Sequence, residues 1–400
     1  MFNIVVYSIL WVVLLYCVVA AYIKIKLRFW RTQPVFHIYN LFYWISPPGV
    51  ISLDNTDNKY INHRNIKTQA LEKINDTLLL DQVCNFIKNY YIAYNFADIA
   101  EYKPTKNNIV GFLDGVNHPS YFTVYQKPHF LLEGGEVTTS LETIQGVITG
   151  RVINICFKGK KPLPVYYVDN LCVHPDVRKQ GIAPELIQTH YANMRRYNSK
   201  IAACLFKREG EMTAIVPLTT YTTYGFTIAN MSFPADTTLH ASMKVVELGL
   251  SQLTLIVEFI KEQKNHFECV ILPDVSNLAN MIKTENIIVY GLITNGVVLS
   301  IYIFRNIQLY YNGQRAVECI LTLYSYNKEM FISGFNIALG KIKEKLNVGV
   351  VLLEDYGQTY GIIDNFQQLG VPELFRSPTA FFLYNYACYG VKNRKFMILY

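Results

Sequence analysis

The chain has 400 residues, 51% of them apolar, with 30 Tyr and 23 Phe and only 17% charged residues. That composition excludes an extended disordered chain and supports a core large enough to need no disulfide or metal staple. The cysteines at 17, 84, 156, 172, 204, 269, 319 and 388 show no CxxC or CxH spacing, so no zinc site or disulfide framework is signalled and a reducing compartment fits. The formal charge of +7 comes without a Lys/Arg block, zinc-finger motif or RNA-module motif, which argues against nucleic acid as a partner.

Ile4 to Ile23 reads IVVYSILWVVLLYCVVAAYI, an uncharged run. Roughly 20 residues at about 1.5 Å each cross a hydrocarbon layer about 30 Å thick. Lys24, Lys26, Arg28 and Arg31 follow directly and nothing basic precedes, so the positive-inside bias predicts a single span with residues 24–400 in the cytosol. A cleaved signal peptide processed near Val19-Ala20-Ala21 is the alternative. The missing basic n-region and the length of the run argue against it.

An internal similarity follows. Ile144-Gln-Gly-Val-Ile-Thr-Gly150 matches Val289-Tyr-Gly-Leu-Ile-Thr-Asn295-Gly296, and both segments read as β-hairpins closed at a Gly turn. Each precedes a strand, a helix and a strand: Val165–Val173, Ala183–Tyr197 and Ala202–Lys207 in the first copy; Ala316–Tyr326, Phe331–Leu346 and Val348–Leu353 in the second. The expected fold is therefore α/β (α+β), made of two copies of one unit behind a transmembrane helix. The expected divisions are 1–23 (anchor), 24–235 (first half) and 236–400 (second half).

Phosphate-binding chemistry is confined to the first copy, in Arg178-Lys-Gln-Gly181-Ile-Ala183 between a strand and a helix. A glycine permits a tight turn, free N–H groups open the helix, and Arg178 and Lys179 add positive charge. The loop has the shape of the (Q/R)xxGx(G/A) element of GNAT acyl-CoA transferases.

Arg28-Phe-Trp-Arg-Thr-Gln-Pro-Val35 resembles the FWxTQPV element of the N-myristoyltransferase family, and Val168-Asp-Asn-Leu-Cys-Val-His174, running through Arg178 and Ala183-Pro184 to Ile187, resembles its FLCVH strand and RxKRxAPxLI loop. Glu285–Ile288, Val348–Glu354 and Phe382–Tyr386 resemble the family's second half, so the likeness covers residues 28–400. It implies two fused GNAT-like halves related by a pseudo-twofold repeat, with myristoyl-CoA as donor substrate, no permanent cofactor and no metal. It also implies peptides with an N-terminal glycine as acceptors, and a monomer.

Residue by residue, the resemblance assigns Phe29, Trp30, Arg178, Lys179, Gly181 and Ala183 to the coenzyme. The backbone N–H groups of Asn170 and Leu171 become the oxyanion hole, the terminal carboxylate of Tyr400 the base, and Thr213 an amine-positioning residue. Asp169 and His174 read as structural hydrogen-bonding side chains. The pattern departs from the family at Asn170, where an aromatic is usual, and at Gly181, where a basic residue is usual. It departs again at Gly370–Glu373, in place of Gly-Asp-Gly, and in a thin acidic run around Asp98 and Glu101. Two other readings accommodate these departures: an N-terminal acetyltransferase on the same scaffold, and an inactive membrane adaptor that binds acylated or Gly-starting peptides.

Overall fold

The computed structural model describes residues 2–54, 58–73, 77–91, 100–133, 136–210, 214–325 and 327–400. Helix α1 (Phe2–Lys26) is exposed at almost every position, and its stretch Ile4–Ile25, with mean hydropathy 2.6, is long and apolar enough to cross a membrane. A short helix α2 (Leu41–Ile45) and the amphipathic α3 (Thr77–Tyr90) follow.

The first copy of the repeat comprises β1 (Tyr121–Glu133), β2 (Glu136–Phe157), β3 (Leu163–Val173), α4 (Ile182–Tyr197) and β4 (Cys204–Glu209). Strand β5 (Thr219–Thr227) comes next, then β6 (Met243–Glu247) and β7 (Cys269–Leu272). The second copy comprises β8 (Ile287–Thr294), β9 (Val297–Tyr311), β10 (Gln314–Tyr324), α5 (Lys328–Leu346) and β11 (Val348–Glu354), and the chain closes with β12 (Glu373–Tyr384) and β13 (Phe396–Ile398).

The two copies share one topology. In the first, β1 pairs β2 and β2 pairs β3 antiparallel, and β3 pairs β4 in parallel across the α4 crossover. In the second, β8–β9 and β9–β10 are antiparallel and β10–β11 is parallel across α5. The strand that follows each copy crosses to the other. β5 lies against β11, β12 lies against β4, and β5 and β12 pair with each other. This exchange produces one continuous mixed sheet with twelve strands in the order β13-β7-β2-β3-β4-β12-β5-β11-β10-β9-β8-β6, to which β1 and the short strands Ile66–Ala70 and Ala100–Tyr102 add, making fifteen among the described residues.

One hairpin expectation is corrected. Thr294-Asn295-Gly296 does close β8 onto β9, but Ile144–Gly150 lies inside β2 and contains no turn. Its glycines serve close packing of α4 on the sheet. A Cβ on Gly146 would meet the Leu186 side chain at 2.7 Å, and one on Gly150 would meet His190 at 2.8 Å. The segment therefore corresponds to β9 of the second copy rather than to β8.

The helices are held by apolar stripes at helical spacing. In α5, Phe331, Phe335, Ala338 and Ile342 recur on one face and pack against β9, where Phe335 lies 5.9 Å from Phe304. Helix α4 is buried nearly all round, because β2 covers one side and Leu53, Asn62 and Thr68 bond to it from the other. Asn62 donates to Thr189 and Glu185, Arg195 to the carbonyl of Leu53, and Asn193 to Thr68.

Candidate functional site

Parallel pairing of β3 with β4 is confined to Tyr166–Tyr167 opposite Cys204–Leu205, whereas β10 and β11 pair continuously over Ala316–Cys319 opposite Val350–Leu353, with a further pair, Arg315 and Val348, beyond one register shift. The first copy therefore opens a wedge that the second does not. At its mouth β3 carries a bulge. Val147 faces Cys172 and Thr149 faces Asp169, so Ile148 opposes both Asn170 and Leu171 and removes that pair from the ladder. Asn170 sits at φ 53°, a left-handed conformation that Asn tolerates better than most side chains. This accounts for Asn where the resemblance leads one to expect an aromatic.

An apolar cavity of about 310 Å³ fills the wedge, lined by Trp30, Ile148, Ile187, Met194, Cys204 and Phe206 among others. Trp30 stacks on Phe206 at 5.8 Å, and Phe206 on Phe382 at 5.4 Å. His190 also lines the cavity. Burial lowers its pKa to about 3, so the imidazole is neutral, with Nδ1 2.7 Å from the Thr123 hydroxyl. Burial pushes the Cys172 thiol up to about 12 and the Cys204 thiol higher still, so neither offers a thiolate at neutral pH.

A second cavity of about 390 Å³ adjoins the first, and the two share Tyr91, Val168, Asp169, Asn170 and Lys207 as walls. Its chemistry is opposite. Lys207 Nζ lies 2.6 Å from Glu354 and 3.5 Å from Glu318, and Arg305 donates to Glu318 at 2.7 and 2.5 Å. Burial opposes the charge of Lys207, but the neighbouring carboxylates outweigh it and raise its pKa well above the ordinary value. Burial likewise opposes ionisation of Glu318, yet the cations beside it hold its carboxyl below the usual range; for Glu354 burial prevails and the pKa is raised. Arg151, buried and donating to Asn277 at 2.8 Å, is lowered by burial to about 10 and stays charged at neutral pH.

The floor of this charged cavity is Tyr400. β13 joins the sheet edge beside β7, Leu399 N donates to Ile271 O at 2.9 Å, and residues 396–400 are at most 1% exposed. The Tyr400 phenol accepts from Lys207 at 3.0 Å, and its ring lies 4.6 Å beneath the Arg305 guanidinium. Arg151, Lys207 and Arg305 face Asp169, Glu209, Glu318 and Glu354, three cations against four carboxylates, so the fixed side chains nearly balance in formal charge.

The loop before α4 contains two left-handed residues, Lys179 at φ 64° and Gly181 at φ 88°, with Gly181 as the helix cap and open space around it. N–H groups in the first turn of a helix have no intrahelical partners and favour anions. Lys179 and Gly181 are exposed and Ala183 half-buried there. Arg178 is committed differently from expectation: its guanidinium donates to the carbonyls of Val173 at 2.9 Å and Tyr90 at 3.3 Å, bracing the loop.

A third, polar cavity of about 660 Å³ lies between the end of α1 and the 31–43 segment, includes Lys24, Arg31 and Gln33, and shares Tyr191 and Tyr384 with the apolar cavity. Gln33 is locked there by the Tyr384 hydroxyl at 2.6 Å.

Of the residues singled out from sequence, Trp30, Asn170, Leu171 and Tyr400 converge on the two adjoining cavities, and Arg178, Lys179, Gly181 and Ala183 line the approach to α4. Phe29 packs edge-on against Trp30 at 5.0 Å and Tyr60 at 5.1 Å. The Asn170 N–H donates to Asp169 Oδ1 at 2.7 Å, and Tyr91 donates to the same oxygen at 2.8 Å. His174 packs edge-on against Tyr90 at 4.5 Å. Thr213 and Asp98 lie outside the described residues. Glu101 pairs with Lys103 on the surface, and Gly370, at φ 66°, makes a helix-ending turn beside the exposed Glu373–Arg376 pair.

The residues sequence reasoning missed are Arg151, Lys207, Arg305, Glu318 and Glu354. Their signal is a lone charge inside an apolar strand, as in Cys204-Leu-Phe-Lys207 and Ala316-Val-Glu318-Cys-Ile-Leu321.

This splayed, duplicated sheet has counterparts among known structures. In structure the chain resembles yeast N-myristoyltransferase. It matches the Saccharomyces cerevisiae enzyme with bound myristoyl-CoA at TM-scores of 0.67 and 0.70, with 14% identity over 92% of this chain and 94% and 89% of those chains. A third structure of that enzyme, with bound myristoyl-CoA and inhibitors, matches at TM-score 0.69 and 14% identity over 92% of this chain and 91% of that one. No protein-family model and no curated protein matches the chain in sequence.

Proposed function

We propose that this protein is an N-myristoyltransferase, anchored in a membrane by α1 with residues 24–400 on the cytosolic side, that moves a myristoyl group from myristoyl-CoA to the N-terminal glycine amine of proteins. The observation that carries the reading is the meeting of an apolar cavity and a charged cavity at the Asn170–Leu171 bulge. One suits an acyl chain, the other an ammonium-bearing peptide, and the bond between them must form at the shared wall.

In the proposed reaction the ammonium first loses a proton to the Tyr400 carboxylate. An α-amine has a pKa near 7.8, so supplying the free amine against bulk water at pH 7 costs only about 1 kcal/mol, the proton passing from the carboxylate on to solvent. The amine nitrogen then attacks the thioester carbonyl carbon, and the oxyanion takes hydrogen bonds from the N–H groups of Asn170 and Leu171. The C–S bond breaks as the C–N bond is completed, and the second amine proton accompanies the departing CoA thiolate. Since the cavity's side chains nearly balance in charge, an added carboxylate at Tyr400 leaves a negative excess suited to an ammonium group.

Phe29 and Trp30 would hold the coenzyme's proximal part, and Lys179, Gly181 and Ala183 its phosphates, with Arg178 bracing their loop. Thr213 would position the amine. The reading takes residues 24–235 as the acyl-CoA half and 236–400 as the half that completes the peptide groove, in a monomer that needs no bound cofactor.

The test is intact-mass measurement of one Gly-starting peptide with CoA thioesters of different length. A myristoyl mass gain supports the reading, and gain from acetyl-CoA alone replaces it with an N-terminal acetyltransferase. A second reading is favoured by one contact: the Asn170 N–H is already taken by Asp169 Oδ1 at 2.7 Å. If that bond persists with substrate bound, the oxyanion hole stays closed and the protein is an adaptor for acylated or Gly-starting peptides. Adding one residue after Tyr400 then separates the two, since an enzyme loses turnover and an adaptor keeps its peptide.

A further inference from the structure

The chain does not leave α1 when the helix ends. It doubles back along it, and the Tyr16 hydroxyl donates to Tyr39 O at 2.6 Å while Lys24 Nζ lies 5.1 Å over the Tyr39 ring. Ala20, between those two contacts on the same helix face, is buried. Tyr16 precedes the end of the apolar stretch by about nine residues, or about 13 Å of helix. The 37–45 segment therefore runs beside the last turns of α1.

That segment turns its apolar side outward. Phe42 is 84% exposed and Ile45 77%, and Leu41 and Trp44 are exposed beside them. Its polar groups are settled inward: Trp44 Nε1 donates to Ile38 O at 3.0 Å, and Tyr389 donates to Ile45 O at 2.6 Å. Phe36, buried, supports the segment from behind, 5.1 Å from Trp44 and 5.6 Å from Tyr43. A braced segment exposing Leu, Phe, Trp and Ile has the composition of an interfacial element, and the exposed Arg28 and Arg31 nearby suit anionic headgroups.

We propose that Ile38–Ile45 is a second membrane contact, with the side chains of Leu41, Phe42, Trp44 and Ile45 inserted in the cytosolic leaflet of the bilayer that α1 crosses. This rests on the reading of α1 as a span. A single helix leaves the attached protein free to swivel about it; a second contact fixes one face toward the lipid. The face fixed is the one that carries the polar cavity between α1 and residues 31–43.

The experiment uses the full chain in nanodiscs of phosphatidylcholine with a minor share of phosphatidylserine, carrying a phospholipid with a diazirine high on its acyl chain. After illumination, labelled peptides are read by mass spectrometry. The expected result is label on α1 and on residues 41–45, with the Phe42→Asp/Ile45→Asp variant losing the second label and keeping the first. Label on α1 alone overturns the inference and leaves the span standing, and label on neither overturns both. Absence of lipid label on 41–45, with concentration-dependent protection of that peptide from hydroxyl radicals, assigns the surface to a second copy of the chain and overturns the inference as well.

Discussion

Lys207 and Glu354 form an ion pair of 2.6 Å at the junction of the two halves of the sheet, with the lysine side chain 12% exposed and the glutamate fully buried. The pair joins β4 of the first copy to β11 of the second, and the Tyr221 hydroxyl donates to the same carboxylate at 3.0 Å. Removing one member of a buried pair leaves an uncompensated charge, which costs about 3–5 kcal/mol. Lys207→Met is expected to lower unfolding free energy by roughly that amount. Lys207→Met/Glu354→Leu is expected to regain most of the loss. Denaturant titration of the full chain checks both, and equal destabilisation of the single and double variants would show that the two charges do not depend on each other.

The bulge at Asn170 yields a test that separates conformation from side-chain chemistry. Asn170→Gly keeps the N–H and accepts φ 53° without strain, so transfer should stay near the parent rate. Asn170→Pro removes the donor and cannot reach positive φ, so transfer should fall by about 10²–10³, the usual effect of losing an oxyanion donor. The glycine variant also loses the 2.9 Å bond from Asn170 Nδ2 to Thr149. A glycine variant as slow as the proline variant would transfer the role from the backbone to the amide side chain.

These positions mark how far the chain could be read before it was folded. Helix α4 and the strands around it were legible because Ile182, Leu186 and Met194 and the run Val165–Val173 carry local periodicity. The exchange of β5 and β12 was not, since nothing local to Thr219–Thr227 names a partner in Val348–Glu354. Gly146 and Gly150 were misread as turn formers because a glycine needed for close helix approach looks, in one dimension, like a glycine needed for positive φ. Lys207, Glu318 and Glu354 were overlooked because each balances another from a distant strand, a pairing that only the assembled sheet provides.

His190 sets a pH dependence. Burial holds its folded pKa near 3 against an ordinary 6.5, so between those values the unfolded chain binds the proton and the folded chain does not. Stability must therefore fall as pH drops below 6.5, with a slope from this group of up to about 1.4 kcal/mol per pH unit. His190→Gln removes the titration, and its stability profile from neutral to mildly acidic pH should be flatter by that slope. Parallel profiles for parent and variant would mean that the imidazole is protonated in the fold.

The width of the acyl cavity can be changed from outside its walls. A Cβ on Gly150 would meet His190 Nε2 at 2.8 Å and Met194 Sδ at 2.9 Å, and both side chains line the apolar cavity. Gly150→Ala must therefore push the imidazole or the thioether into the wedge, at an overpacking cost of about 1–3 kcal/mol. The narrowed cavity should favour shorter acyl groups, lowering kcat/KM for myristoyl-CoA more than for a decanoyl or octanoyl thioester. Met194→Ala acts in the opposite sense. It opens space at a cost of about 2–5 kcal/mol, and should leave the long thioester preferred. Kinetics across a thioester series for both variants check the assignment, and an unchanged length preference in Gly150→Ala would show that the acyl chain occupies some other space.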